Sequence, residues 1–169
     1  AGFEKVLGFL HKSAKSKTPV VSLHLSNGET LSATKEHLVF DAYGQSKAMN
    51  EIQIHTDLAV MSEQGHGASK VLSITKEKQD GLYVPLTTSG TLIVDGVIVS
   101  AYASPNARFS NPMLAKFVFD HSVAHFALAP VRNALWLFQI GGIYQKNRDV
   151  VENHQINSTA NILALPMSV

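Results

Sequence analysis

Two patterns in this chain set side chains able to move protons at chemically useful spacings. Thr34-Lys35-Glu36-His37 places a hydroxyl and an imidazole three residues apart. Imidazole titrates near pH 6.5, so His37 is able to give or take a proton at neutral pH, and the Thr34 hydroxyl both donates and accepts hydrogen bonds. The same pair is also common at an ordinary strand end, so on its own it names a chemistry without assigning it. In the second pattern, His121 and His125 lie four apart and would share one helix face, as metal ligands often do. Without the carboxylate of a His-Glu-x-x-His pattern, and with no cysteine in the chain, they make a poor zinc signature and no metal is expected. His11, in Phe9-Leu10-His11-Lys12, is a third imidazole: a general base, or a histidine exposed at a strand end.

The elements that must carry these groups divide the chain. Gly90 to Ser104 reads as two strands folded around Asp95-Gly96, a pair suited to the positive φ angles of a type I′ turn. Val21, Leu23 and Leu25 alternate with Ser22, His24 and Ser26 up to Asn27-Gly28, a second hairpin signal. A strand over Glu4 to Lys12 is expected to stop at the polar break SAKSKTP, and Ser46 to Thr87 is expected to hold further short strands separated by Gly-rich or charged turns. Residues 1–103 therefore read as nearly all β. SPNARFSNP is a linker by composition, and the segment after it is helical, with Pro130 suited to a first helical position and Gly141-Gly142 to a stop. Residues 104–145 form this helical region, and 146–169 a polar tail with a lone Asn157-Ser158-Thr159 sequon.

Composition limits the partners. A chain of 169 residues, 45% hydrophobic and 16% charged, is able to bury a core. Its net charge of +1 offers no cation excess for a phosphate backbone, which argues against nucleic acid. No cysteine means no disulfide scaffold and no thiol nucleophile within these residues. The apolar stretches of the helical region are interrupted by Asp120, His121, His125 and Arg132, short of a membrane span, while association with a lipid surface stays open.

Three segments, LSATKEHLVF (Leu31 to Phe40), GLYVPLTTSGTLIVDGVIVSAYA (Gly81 to Ala103) and DHSVAHFALAPVR (Asp120 to Arg132), resemble in order and spacing the C-terminal autoprocessing part of Hedgehog proteins. The resemblance runs from about Phe3 to about Phe138. It implies a mainly β Hint fold, of the kind shared with inteins, followed by a short helical sterol- or adduct-recognition appendage. It also implies self-splitting: a cysteine attacks the carbonyl before it, and a lipid alcohol such as cholesterol displaces the resulting thioester. On this resemblance His37 supplies the acid or base for the leaving amide, and Thr34 hydrogen-bonds the scissile peptide.

Three departures qualify what the resemblance implies. Ala101, in Ser100-Ala101-Tyr102-Ala103, stands where the family has its second cysteine; otherwise it is a small core residue at a crowded strand end. The segment bearing the nucleophilic cysteine is expected to be missing from these residues, leaving the chain alone unable to form the thioester. His11 stands where animal Hedgehogs carry an Asp thought to assist the sterol hydroxyl, which leaves water or another alcohol as acceptors.

In the helical region the resemblance assigns His121, His125, Phe126, Arg132 and Trp136 to lipid recognition. Phe117, Phe119, Phe126, Leu135, Trp136, Leu137 and Phe138 divide between a face docking the helices on the β domain and a surface for lipid. The implied partners are the chain's own N-terminal precursor fragment and a sterol or membrane-surface lipid, with no cofactor, in the secretory pathway or outside the cell. The alternative is a non-catalytic lipid- or protein-binding module on the same scaffold, with a His-dependent metal hydrolase well behind.

Overall fold

The computed structural model describes residues 4–62, 65–104 and 120–140, with side chains of the last segment as far as 138. Eight strands occupy the first hundred residues: β1 Val6–Leu25, β2 Thr30–Ala33, β3 His37–Phe40, β4 Ser46–Ala48, β5 Asp57–Ser62, β6 Gly65–Thr87, β7 Thr91–Val94 and β8 Val97–Ala103. Among the described residues two helices follow, α1 His121–Ala127 and α2 Ala129–Ile140. The sheet runs β2-β1-β6-β5-β8-β3-β4, with β7 on β8, and its named pairings are all antiparallel.

Both expected hairpins form. Asp95 and Gly96 take φ of 48° and 74°, the left-handed pair of a type I′ turn, which matches the twist of β7 and β8. Gly28, at φ 89°, closes the turn between β1 and β2.

The breaks expected on either side of the second hairpin are absent. SAKSKTP lies inside β1, a strand of 20 residues, and the charged KEKQDG run lies inside β6, a strand of 23. The two strands pair almost throughout, from Val6 opposite Thr87 to Leu25 opposite Val71. Their exposed polar side chains meet water while the backbone completes its hydrogen bonds across the ribbon, so polarity marks a solvated ribbon here and not a turn. Gly81 is not a chain reversal but the single residue opposite Ala14, Lys15 and Ser16, the extra residues of a bulge in β1: it has φ of 87°, and a Cβ there would meet the Ser13 carbonyl at 3.3 Å. The register shifts nearby, between Ser13 and Lys17.

The core gathers one face of the sheet. Leu23, Leu31, Val39, Leu58, Val71, Leu86, Val97 and Val99 are buried together with Ala101 and Tyr102 of β8. Ala124, Leu128 and Leu135 of the helical segment pack against this cluster. With His121, His125 and Arg132 they follow the three- and four-residue spacing of one helix face. The face runs across the α1–α2 junction because the Leu128 N–H bonds to the Ala124 carbonyl and the Arg132 N–H to that of Leu128. The linker expected over 104–112 and the tail over 146–169 lie almost wholly outside the described residues, as do Phe117, Phe119 and the Gly141-Gly142 stop.

Candidate functional site

Thr34 and His37 are joined through a tight turn, in which the His37 N–H bonds to the Thr34 carbonyl at 3.0 Å. Two further backbone bonds pin the turn: Asn50 N–H to the Lys35 carbonyl at 3.0 Å, and Ser104 N–H to the Glu36 carbonyl at 2.7 Å. His37 is then the first residue of β3, half-buried, opposite Ala103 of β8.

Between β3 and β8 the ladder is irregular. His37 pairs with Ala103 and Val39 with Val99, so Leu38 alone stands opposite Ser100, Ala101 and Tyr102. Extra residues on one strand bend it and re-aim its side chains. The bulge turns the Ser100 carbonyl toward the His37 ring, which donates an N–H to it. It also accounts for the small pair Ser100-Ala101: both residues are fully buried, and the Ala101 N–H bonds to the Gly90 carbonyl at 2.7 Å.

On its other side the bulge receives the helices. Ser100 Oγ accepts the Tyr102 N–H at 3.0 Å and lies 2.9 Å from His121 Nδ1. With one lone pair taken by the amide, the hydroxyl proton is free to go to Nδ1. Arg132 donates to the Tyr102 hydroxyl at 2.9 Å and to the His125 carbonyl. Guanidinium only donates, so Arg132 leaves the Tyr102 proton free to go to His125 Nδ1, 2.9 Å away. Gly90 lies against this bond at φ 73°, where a Cβ would come 2.6 Å from His125 Nδ1 and 2.7 Å from the Tyr102 hydroxyl. At the helix start, Ser46 of β4 accepts the His121 N–H at 3.1 Å and donates to Asp120 at 2.5 Å. Asp120 makes no side-chain cap of its own, so a β-strand serine does part of the capping.

Electrostatics keep the imidazoles neutral. Burial pushes His37 down to about 4, against the bond to Ser100, which favours the charged form. His121 is also lowered to about 4, first by burial and then by His125 and Arg132, with Asp120 opposing. Burial and Arg132 lower His125, and the Glu4 carboxylate opposes them. Burial raises the Tyr102 phenol above its usual value despite the Arg132 guanidinium on its oxygen.

Thr34, His37, Ala101, His121, His125 and Arg132 thus fall along one stretch of β3, β8 and the helices. His121, His125 and Arg132 face β8, whereas Phe126 is 83% exposed and Trp136 51% exposed on the outer surface. His11 lies on the exposed part of β1, opposite Val84, and no hydrogen bond joins it to His37 among the described residues. Among those residues, no group of three or more His, Cys, Asp or Glu side chains is placed to hold a metal ion. Ser100, Tyr102, Gly90 and Ser46 belong to the site but were not singled out by sequence; the small Ser100-Ala101 pair is the one signal that pointed there.

A family model described as the Hint module matches residues 2–164. The chain belongs to that family. Among curated relatives, it is 24% identical to protein hedgehog of Drosophila virilis over 143 residues, covering 78% of this chain and 26% of that one. Protein qua-1 of Caenorhabditis elegans is 25% identical over 136 residues, covering 69% of this chain and 12% of that one. The chain therefore spans about a quarter or less of these relatives. Among solved structures, the gp41-1 intein crystal structure covers 59% of this chain and is itself covered to 73%, at 19% identity and a TM-score of 0.49. The β sheet with its two short helices is thus a Hint module related to hedgehog proteins, a module of the autoprocessing type.

The lowered histidines make stability pH-dependent. Unfolded imidazoles take up protons near pH 6.5, while His37 and His121 resist them in the fold until about pH 4. Stability is therefore full above pH 6.5, falls as pH drops toward 4, and levels off below, where both states are protonated. For buried His121 the slope approaches ~1 kcal/mol per pH unit. Urea midpoints measured from pH 7.5 to 4 should fall across that window, and His121→Asn should flatten the fall; an equally steep fall in the variant would show that His121 is not held neutral.

Proposed function

We propose that this Hint module is the acid–base half of a self-processing reaction that splits a precursor through an internal thioester and passes the N-terminal fragment to a lipid alcohol or to water. The observation that carries the reading is His37: its backbone N–H is bonded to the Thr34 carbonyl, and its ring is kept neutral by burial. With a value of about 4, roughly one His37 in a thousand is charged at pH 7. Such a ring is a vacant proton acceptor that becomes a strong acid once filled.

A cysteine thiol, which must come from outside these cysteine-free residues, gives its proton to His37 as sulfur bonds to the scissile carbonyl carbon. Thr34 donates to the developing oxyanion. The C–N bond breaks, and His37 returns the proton to the leaving amine. An alcohol oxygen then bonds to the thioester carbon, the C–S bond breaks, and the alcohol proton ends on the sulfur. Exposed His11 is open to solvent, where it could serve as base for that alcohol. The partners are the chain's own N-terminal precursor fragment and a sterol or other lipid alcohol, and the relation to hedgehog proteins favours the secretory pathway.

The chain alone should release nothing when incubated with thiol and sterol, having no sulfur nucleophile. Joined to a reporter through an upstream segment that begins with the nucleophilic cysteine, it should release the reporter with dithiothreitol. His37→Ala should abolish release, and Thr34→Ala should slow it ~100-fold. Undiminished release in His37→Ala would contradict the mechanism.

A second reading, a lipid- or protein-binding module without catalysis, is favoured by the outer helix face. Phe126, Trp136, Leu137 and Phe138 are each at least half exposed, beside Val123 and Val131. Such a cluster on otherwise docked helices is unusual for a surface with no partner. Trp136 is the single tryptophan, so sterol-containing micelles should shift its emission to shorter wavelength. Unchanged emission would remove lipid as the partner of this face.

A further inference from the structure

The middle of the β1–β6 pair stands clear of the core. Over residues 9–19 of β1 and 72–84 of β6 no residue is buried, and among the described residues no third strand pairs with either segment. The two segments carry five lysines, Lys12, Lys15, Lys17, Lys76 and Lys78, against two carboxylates, Glu77 and Asp80, a formal charge of +3 in a chain whose total is +1. The lysines in ion pairs among the described residues, Lys35, Lys47 and Lys70, all lie off these segments.

Register sharpens the asymmetry. Residues directly across an antiparallel ladder share a face, as do alternate residues along one strand. Val21 stands opposite Lys76, Pro19 opposite Lys78 and Lys17 opposite Asp80, so three lysines share one face with a single carboxylate. Glu77 is opposite Val20 on the other face, where its carboxylate accepts the Ser22 hydroxyl at 2.5 Å and the Gln79 amide at 3.3 Å. Further along the ribbon, Phe9, Leu10 and Tyr83 are 42%, 42% and 43% exposed. Leu10 is the extra residue where pairing passes from Phe9–Pro85 to His11–Val84. Lys12, across from Tyr83, holds its ammonium 5.6 Å from the centre of the Phe9 ring. Lysines on open strand edges deter pairing with other chains, but that role does not call for exposed apolar side chains among them.

We propose that this ribbon docks the protein on an anionic bilayer, with its lysines among acidic phospholipid headgroups and Phe9, Leu10 and Tyr83 at the acyl boundary. Headgroup charge is diffuse, so it meets a row of lysines that has no fixed ligand geometry, and the interface takes up aromatic and aliphatic side chains that a polyanion in water does not. This docking requires neither the cleavage reaction nor the outer helix face.

The test mixes the chain with sucrose-loaded vesicles of phosphatidylcholine, with and without about one-third phosphatidylserine, and measures the fraction pelleted. Binding should appear only with the acidic lipid and should fall as salt rises toward about 0.5 M. Each lysine near such a surface contributes about fivefold in affinity, so Lys76→Gln/Lys78→Gln should weaken binding about thirtyfold and lessen its salt dependence. Lys35→Gln/Lys70→Gln removes the same charge from exposed lysines off the ribbon and should leave binding nearly unchanged. Leu10→Ser should weaken binding several-fold with the salt dependence kept. Equal binding to both vesicles, binding to neither, equal weakening by the two lysine pairs, or Leu10→Ser bound as tightly as the unaltered chain would each overturn the proposal. Binding to polyglutamate or duplex DNA with the acidic vesicles left free would also overturn it and assign the ribbon to an acidic polymer.

Discussion

The structure turns on one irregularity, the bulge that sets Ser100, Ala101 and Tyr102 of β8 opposite Leu38 of β3. A regular antiparallel ladder would send alternate side chains to opposite faces and spend the carbonyls on the neighbouring strand. The bulge frees the Ser100 carbonyl for the His37 ring, buries Ala101, and aims the Tyr102 hydroxyl at the helices. Any side chain at 101 much larger than the one present would need new space in a position with no exposed surface. The surroundings of His37 and the docking of the helices are therefore consequences of the same three residues.

The helices dock through apolar contacts and through a set of partnered polar groups. Ala124, Leu128 and Leu135 reach the core, but the same face carries His121, His125 and the buried Arg132. Each would be costly there without partners, on the order of 1–3 kcal/mol for an unsatisfied neutral group and more for a charge. Ser100, Tyr102, Ser46 and the His125 carbonyl supply those partners. Burial then keeps the imidazoles neutral, which lowers the electrostatic cost of placing them beside a guanidinium. A network of this kind fixes one docking geometry more sharply than apolar contact alone, because a small shift leaves several groups unpaired at once.

What was legible in the sequence was local chemistry. The positive φ angles at Asp95-Gly96 and the alternation of Val21, Leu23 and Leu25 are short-range facts, and the structure follows them. Thr34 and His37 are three apart, so a tight turn alone brings their backbones together. The continuity of β1 and β6 was not legible: SAKSKTP and KEKQDG have turn composition, and only pairing between segments some sixty residues apart shows that they are strand. The bulge was hidden for the same reason, since register belongs to the pair of strands and not to either one. His121 and His125 carry identical spacing whether they ligate a metal, face a lipid or dock on β8; the partners Ser100 and Tyr102 decide, and those come from another element.

The β8 bulge is a rigid, hydrogen-bonded part of the core and not a loose irregularity. Native-state amide hydrogen exchange measures this directly at Ala101 and Tyr102, whose N–H groups bond to the Gly90 carbonyl and to Ser100 Oγ. If the bulge is locked between His37 and α1, both amides should exchange as slowly as core amides such as Val71, whose N–H bonds to the Thr56 carbonyl, and open only with the whole fold. Exchange at Tyr102 a hundredfold or more faster than at Val71, with the rest of β8 still protected, would show that the bulge opens by itself and would contradict the account.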